Sequence, residues 1–412
     1  MEIMLISMDE GEFQPLGIAG PAAYLRKNGF SVRAFDLRKN STFEFDIYAD
    51  IVAFSVPIFG AIESSVEKAK EIRKAGFQGP FVFYNQYATV QPETFLLDDN
   101  CFVIFGEFEE ELVQICKLMQ QSKPIAQAEH VWSMGKKRPA KALKRATFIA
   151  PDRSDLPSLS TYARFDGAIV GNVETMRGCA HPCTYCSVFG AYERHVVKIP
   201  EEIVLEDIAY TVNAGATHIT FVDADFFSTG KRGLAIVESM VERYPGISFD
   251  ITARLDDIIR YKTIVERFKE VGCKEVTSAF EFPDENVLEI MNKGIVLDQM
   301  VQAVRLLQGI GIRLKPTFIT YTPWIDSVNM GKLDAFAKEI GIADFIDPLQ
   351  KQTRLLLYKG SPLLATDHIK PIRLMDRGVY YDWVHPDPRV DDDYNALEFE
   401  DSAARKRCCI KG

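Results

Sequence analysis

The sequence predicts an α/β fold: a doubly wound, Rossmann-like N-terminal domain, then a partial (β/α)6 barrel and a short C-terminal tail. Three observations carry that expectation. Apolar strand-like runs alternate with helical stretches through residues 1–120; the composition shifts to proline, serine and basic residues over 121–172; the alternation resumes from 173 to 365. The expected domains are therefore 1–120, a linker or clasp at 121–172, the barrel at 173–365 and an extension at 366–412.

In the first domain MEIMLIS, SVRAFDL, DIVAFSVP, GPFVFYN and CFVIFG read as strands, and Ala19–Lys27, Ser64–Lys74 and Glu109–Met119 as helices. Strands alternating with helices pair in parallel, and their ends leave a ligand crevice. The basic run Lys136–Lys144 in the linker reads most simply as solvated surface. In the barrel the strands are a short one entering a cysteine loop near 173, then HITFVD, ISFDITA, EVTSAFE, RLKPTFITY and a stretch near Thr353–Tyr358. Helices at 201–214, 231–243, 261–271, 284–292, 298–310 and 327–340 separate them. Parallel barrels carry their chemistry at the C-terminal ends of the strands, where the cysteine loop sits. The charged, weakly periodic run from 386 to 412 reads as a tail that is flexible without a partner.

Composition excludes several classes. With 412 residues, 47% of them hydrophobic, the chain buries the cores of two or three domains. A net charge of -10 gives nucleic acid no attractive face, so DNA and RNA are not expected partners. No apolar run reaches the roughly 20 residues needed to cross a bilayer, and the N-terminus lacks a basic region before an apolar one, so no membrane is expected and the location expected is the cytoplasm. Eight cysteines, three of them crowded at 179–186, do not make a secreted disulfide framework.

The run MRGCAHPCTYCS places Cys179, Cys183 and Cys186 in a C-x3-C-x2-C spacing after a short strand. Three thiolates from one tight loop converge on an iron–sulfur cubane and leave one iron without a protein ligand, open to a small molecule bearing an amine and a carboxylate. The competing zinc site would need a second ligand pair, and none occurs nearby. His181 lies inside the loop beside Pro182 and reads as a turn residue.

MRGCAHPCTYCS resembles the cluster motif of radical S-adenosylmethionine enzymes, and the chain resembles the subgroup with an N-terminal cobalamin-type domain. PLGIAGPAAYLRKNGFSV, GEFEEEL, FVDADFF, EFPDENVLEIMNKG and YKGSPL carry the likeness. The resemblance implies a 4Fe-4S cluster on Cys179, Cys183 and Cys186, S-adenosyl-L-methionine on its open iron, and an electron donor such as flavodoxin or ferredoxin. It also implies roles for single residues: Tyr185 at the adenine, Asp223 and Asp225 at the methionyl amine, Arg254 at the carboxylate and Glu281 near the ribose. Apart from the resemblance, Tyr185 could pack the loop and the aspartates could cap a helix.

Two features narrow the expectation. Cobalamin domains carry a cobalt-ligating histidine in D-x-H-x-x-G and a glycine-rich strand end, whereas the first histidine here is His130 and the strand end is Tyr84-Asn85-Gln86-Tyr87. Both departures count against cobalamin, although some relatives bind it without the histidine. The ending Arg407-Cys408-Cys409-Ile410-Lys411-Gly412 pairs two thiols beside basic residues, a soft site suited to trivalent arsenic. It is similar to the RCCLKC signature of arsenic-handling radical enzymes, with Gly412 where the signature has a third cysteine. That resemblance implies transfer of a 3-amino-3-carboxypropyl group to arsenite, with Cys408 and Cys409 holding the metalloid; the third position falls to hydroxide or to another thiolate, for which Cys273 is a candidate that otherwise reads as buried core. The alternatives are a cobalamin-dependent radical methyltransferase and a non-catalytic metalloid-binding protein.

Overall fold

The computed structural model describes residues 1–39 and 48–397, so Cys408 and Cys409 lie outside the described residues. It divides into two compact units, Met1–Val173 with Ile199–His218, and Glu174–Lys198 with the residues from Ile219 onward.

The first unit is built on strands β1 (Glu2–Ser7), β2 (Ser31–Asp36), β3 (Ile51–Ser55), β4 (Phe81–Tyr84), β5 (Cys101–Ile104) and β6 (Val131–Ser133), ordered β2-β1-β3-β4-β5-β6. All pairs are parallel except β5 with β6. The strands are almost continuously apolar, as expected of a parallel sheet covered on both faces. The helix Leu16–Lys27 is buried from Leu16 through Leu25. It contains Pro21, whose missing N–H leaves the Gly17 carbonyl without its helical donor, and the Tyr84 hydroxyl donates to that carbonyl instead at 2.8 Å.

The 121–172 stretch is fastened to this first unit. Arg26 pairs with Asp152 and Asp155, each at 2.6 Å, and the Tyr162 hydroxyl donates to Asp36 at 2.7 Å. Arg153, 2% exposed, forks onto Asp207 of the helix Glu201–Asn213 and also donates to Gln14 and to the Asn172 side chain and carbonyl. Strands β7 (Arg164–Phe165) and β8 (Ala168–Val173) form a hairpin.

The second unit opens with β9 (Met176–Gly178) and β10 (Val196–Lys198), an antiparallel pair flanking the cysteine loop. Strands β11 (His218–Phe221), β12 (Ser248–Thr252), β13 (Cys273–Glu281) and β14 (Arg313–Phe318) follow one another across a curled half-barrel sheet. Phe221, Phe226, Phe249 and Phe268 pack tilted or edge to face behind it, with ring centroids 5.0–6.0 Å apart. The strand expected near 353–358 is β15 (Leu357–Tyr358); with β16 (Arg373–Asp376) and β17 (Tyr380–Val384) it makes a separate antiparallel sheet, ordered β15-β17-β16.

The run from 386 is not wholly a loose tail. Pro388–Ala396 is a helix capped by Asp387, with Val390 and Tyr394 buried four residues apart and Asp393 accepting from the Tyr321 hydroxyl at 2.6 Å. Asp followed by Pro at the first helical position is a helix start that alternation of charge obscures.

Removing one member of a buried ion pair strands the other. Arg153→Met is expected to cost about 3–5 kcal/mol in urea denaturation, and the pair Arg153→Met with Asp207→Leu less than half of that; a double-variant loss equal to the sum of the two single losses would show that the pair is not coupled.

Candidate active site

The cysteine loop is held from four sides. Gly178 ends β9 at φ +84, and a Cβ there would meet the His195 carbonyl oxygen at 2.1 Å, so only glycine lets the two flanking strands close. Thr184 N donates to the Met291 carbonyl at 3.0 Å, and Asn292 Nδ2 to the Pro182 carbonyl at 2.9 Å. Leu363 N donates to the Thr184 carbonyl at 2.9 Å. The MNKG and GSPL segments therefore brace the loop, which accounts physically for their place in the sequence likeness.

Inside the loop, burial raises the thiol pKa of Cys179, and burial with the neighbouring Cys183 sulfur pushes Cys186 up to about 12. Three mutually repelling thiolates need a cation at their centre. A protein cation, Arg254, places its Nη1 3.6 Å from Cys183 Sγ. The donor set, three thiols on one short loop, fits a cluster with a single open iron.

His181 turns inward from the same loop. Its Nε2 lies 3.4 Å from Asp225 and 3.3 Å from Asp257. Burial works against the imidazolium, but the two carboxylates outweigh it and raise its pKa. Burial would raise Asp225, yet hydrogen bonds from His181 and Ser228 hold it below the usual carboxylate range. Ser228 Oγ is 2.7 Å from Asp225 and 3.7 Å from Cys179 Sγ. Asp223 is engaged differently: it accepts from Thr175 N at 2.8 Å, Thr175 Oγ1 at 2.6 Å and Met176 N at 3.0 Å, tying β11 to the strand that enters the loop. Its burial pushes the carboxyl up to about 7.

Glu281 sits at φ +62, where β13 shifts register against β14. That left-handed conformation is costly for a residue with a Cβ and is retained because the side chain is over-determined. Its carboxylate accepts from the Tyr185 hydroxyl and from Lys293 Nζ, the latter at 2.6 Å, and Lys293 Nζ is 3.3 Å from Tyr185 Oη. Glu281 and Lys293 are 3% and 5% exposed, so this is a buried charge pair that fixes the aromatic ring between Cys183 and Cys186. Arg254 is committed as well: Nε and Nη2 reach Asp256 at 2.9 and 3.2 Å, and Nη2 donates to the Lys293 carbonyl at 2.6 Å.

The geometry thus brings Cys179, Cys183, Cys186, Tyr185, Asp225, Arg254 and Glu281 around one loop, with Asp223 beneath it holding its entry strand. Sequence reasoning missed Lys293, Asp256 and Asp257. Lys293 was within reach, because the quoted MNKG run ends a helix on the loop side and a buried acid requires a cation. Cys273 is placed elsewhere: it is 1% exposed, donates to the Glu275 carbonyl at 3.5 Å, and begins the strand that Glu281 ends, roughly 26 Å away along an extended chain. It belongs to the core and not to the mouth of the barrel.

Residues 173–328 match the model of the Radical SAM superfamily, and this stretch is a radical SAM domain. The chain is 27% identical over 348 residues to an uncharacterized methyltransferase of Pyrococcus horikoshii, covering 80% of this chain and 74% of the relative. It is 24% identical over 324 residues to the hopanoid C-3 methylase of Methylococcus capsulatus, covering 76% and 62%. Among solved structures, the cobalamin-dependent S-adenosylmethionine radical enzyme OxsB, with aqua-cobalamin and S-adenosylmethionine bound, aligns at TM-score 0.75 and 16% identity over 96% of this chain and 66% of that one. The fold is therefore shared with OxsB. This chain spans about two thirds of the OxsB chain and 62% of the hopanoid methylase.

Two outcomes follow from this geometry. Gly178→Ala is expected to reconstitute with less than roughly half the wild-type iron and sulfide, whereas Gly309→Ala, whose Cβ meets nothing within 4 Å, keeps the full complement; equal iron contents would show that the β9 turn does not shape the loop. Asp223, with a folded pKa of about 7 against about 4 unfolded, contributes stability below pH 4 that is lost as pH rises through 7. Asp223→Asn keeps the two backbone hydrogen bonds through Oδ1 and lets Nδ2 donate to Thr175 Oγ1, as the neutral carboxyl does, and should raise the melting temperature by several degrees at pH 8.5 but little at pH 5. A shift independent of pH would remove this account.

Proposed function

We propose that this chain is a radical S-adenosylmethionine transferase that moves the 3-amino-3-carboxypropyl group to arsenite, forming a carbon–arsenic bond and hydroxyarsinothricin. The observation that carries it is the union in one chain of the three-cysteine loop with the Arg407-Cys408-Cys409 ending. Cys179, Cys183 and Cys186 would hold the cluster, which when reduced supplies the electron that breaks a carbon–sulfur bond of the sulfonium. Around it the protein's own groups bind and orient. Arg254 sets a guanidinium beside the Cys183 sulfur, and Asp225 offers a buried carboxylate to the methionyl amine. Tyr185, fixed by Glu281 and Lys293, presents its ring to the adenine side. Cys408 and Cys409 hold the arsenic, with hydroxide in the position that Gly412 cannot fill.

The transfer balances. The electron pair of the broken bond leaves with sulfur as methylthioadenosine, the arsenic lone pair forms the new bond, one proton is released and arsenic becomes pentavalent. The electron that starts the cleavage is returned, so a donor of the flavodoxin or ferredoxin type primes the reaction without being consumed. A second reading, cobalamin-dependent methyl transfer, draws support from the methylase and OxsB relatives. A third, binding of a metalloid without turnover, needs only the thiol pair.

Anaerobic protein reconstituted with iron and sulfide, then given S-adenosylmethionine, dithionite and arsenite, separates them by product. Methylthioadenosine and a carbon–arsenic product are expected. 5′-Deoxyadenosine with S-adenosylhomocysteine would establish methyl transfer, and intact S-adenosylmethionine would establish binding alone. Replacing both Cys408 and Cys409 by serine should lower transfer more than about 100-fold and leave cluster absorption unchanged.

A further inference from the structure

The crevice at the C-terminal ends of β1, β3 and β4 is where a doubly wound domain accepts the anionic part of a nucleotide, on the N–H groups that open its first helix. Here that position holds a side chain of the protein itself. Both carboxylate oxygens of Glu10 accept from Gly17 N, at 2.9 and 3.1 Å, in the first turn of the helix Leu16–Lys27. A charged carboxylate at a helix N-terminus is stabilised by the same dipole that would bind phosphate, so an incoming anion has to displace it.

The plug extends across the strand ends. Ser55 Oγ, at the end of β3, donates to Glu10 at 3.3 Å, and Asn85 Nδ2, just past β4, donates to Ser55 at 3.2 Å. Asn85 holds a left-handed φ of +80 and accepts from Gln86 N through its side chain, which fixes it over the crevice. The space above Gly17 is full: a Cβ there would meet Glu10 Oε1 and Ser55 Oγ at 2.2 Å each and Asn85 Nδ2 at 2.9 Å. Beneath it Tyr84, wholly buried, donates to the Gly17 carbonyl that Pro21 leaves without a helical partner. Retracting Tyr84 would strand a buried carbonyl before any ligand contact is made.

We propose that the N-terminal domain binds no cobalamin: its nucleotide crevice is closed by Glu10, Ser55 and Asn85 and underpinned by the Tyr84, Gly17 and Pro21 lock. The domain keeps the doubly wound fold as a scaffold. The residues present do not fit the group, and no step of the reaction is routed through it.

Equilibrium dialysis of the full chain against hydroxocobalamin at about 50 µM, followed by absorbance, tests this without reference to activity. Occupancy below roughly one tenth is expected, as a Kd of about 1 mM or weaker implies. Near-stoichiometric binding by the wild-type chain overturns the proposal. A variant combining Glu10→Ala, Tyr84→Gly, Asn85→Gly and Pro21→Ala opens the crevice, and Pro21→Ala returns the N–H that Gly17 needs. It is expected to bind at least about tenfold more tightly while keeping its iron content. A folded variant that still binds nothing would overturn the plug as the cause of exclusion, and one that fails to fold leaves the wild-type dialysis as the decisive result. Because the readout is binding, its failure is distinct from failure of the arsenite reading.

Discussion

Three thiolates must meet at one point from a loop only eight residues long, and the rest of the second unit is arranged around that demand. A loop this short has few hydrogen bonds of its own, such as Cys186 N to the Cys183 carbonyl at 3.1 Å, with which to hold three repelling sulfurs. The restraint comes from outside: the Gly178 turn closes β9 on β10, Thr184 is hydrogen-bonded from both sides by the 291 and 363 segments, and Asn292 holds the Pro182 carbonyl. Apart from the local Gly178 turn, these braces come from stretches more than 100 residues downstream, so the loop acquires its full shape only when the sheet has formed. Fixing it beforehand removes the conformational entropy that cluster assembly would otherwise have to oppose.

The same logic explains why charged groups are buried in quantity here. Glu281, Lys293, Asp225, Asp257 and Arg254 are each less than a tenth exposed, in an environment where an isolated charge is costly. Each has an opposite partner, and each pair also fixes something else. Glu281 and Lys293 lock Tyr185; Asp225 and Asp257 pin His181 and with it the stretch between the first two cysteines; Asp256 and the Lys293 carbonyl hold Arg254 at the Cys183 sulfur. The strained φ of Glu281 belongs to this arrangement. A regular strand would send its side chain to the wrong face, and the shift in register redirects it into the site.

Legibility in the sequence followed the range of the interactions. Alternating apolar runs exposed the parallel strands of both units, since a two-sided sheet writes itself into consecutive residues. The cysteine spacing exposed the cluster loop for the same reason. What escaped was set mostly by partners outside the local pattern: Lys293 is defined by Glu281 and Asp257 by His181, while Asp256 lies beside Arg254 but carries no spacing signal of its own. The helix Pro388–Ala396 escaped because its buried stripe is only Val390 and Tyr394, too short a period to stand out from acidic neighbours. The strand near 353–358 was legible as a strand but not as a member of the antiparallel sheet, because pairing direction depends on β17, more than twenty residues further on.

The two halves of the chain meet in the question of what an acceptor requires. An unactivated carbon has no lone pair and no vacant orbital, so alkylating it needs a reactive centre on the acceptor and a separate carrier for the incoming group. Trivalent arsenic has a lone pair and an expandable valence shell, and it captures a carbon radical directly. An enzyme acting on such an acceptor loses nothing if a carrier site in its N-terminal domain closes. Glu10 on the helix terminus and Tyr84 under Gly17 make internal contacts where a bound ligand would otherwise make them, and so add to the stability of the domain. If arsenite is the acceptor, as proposed, the filled crevice and the terminal thiol pair belong to one specialisation, in which the acceptor's own chemistry takes over the carrier's part.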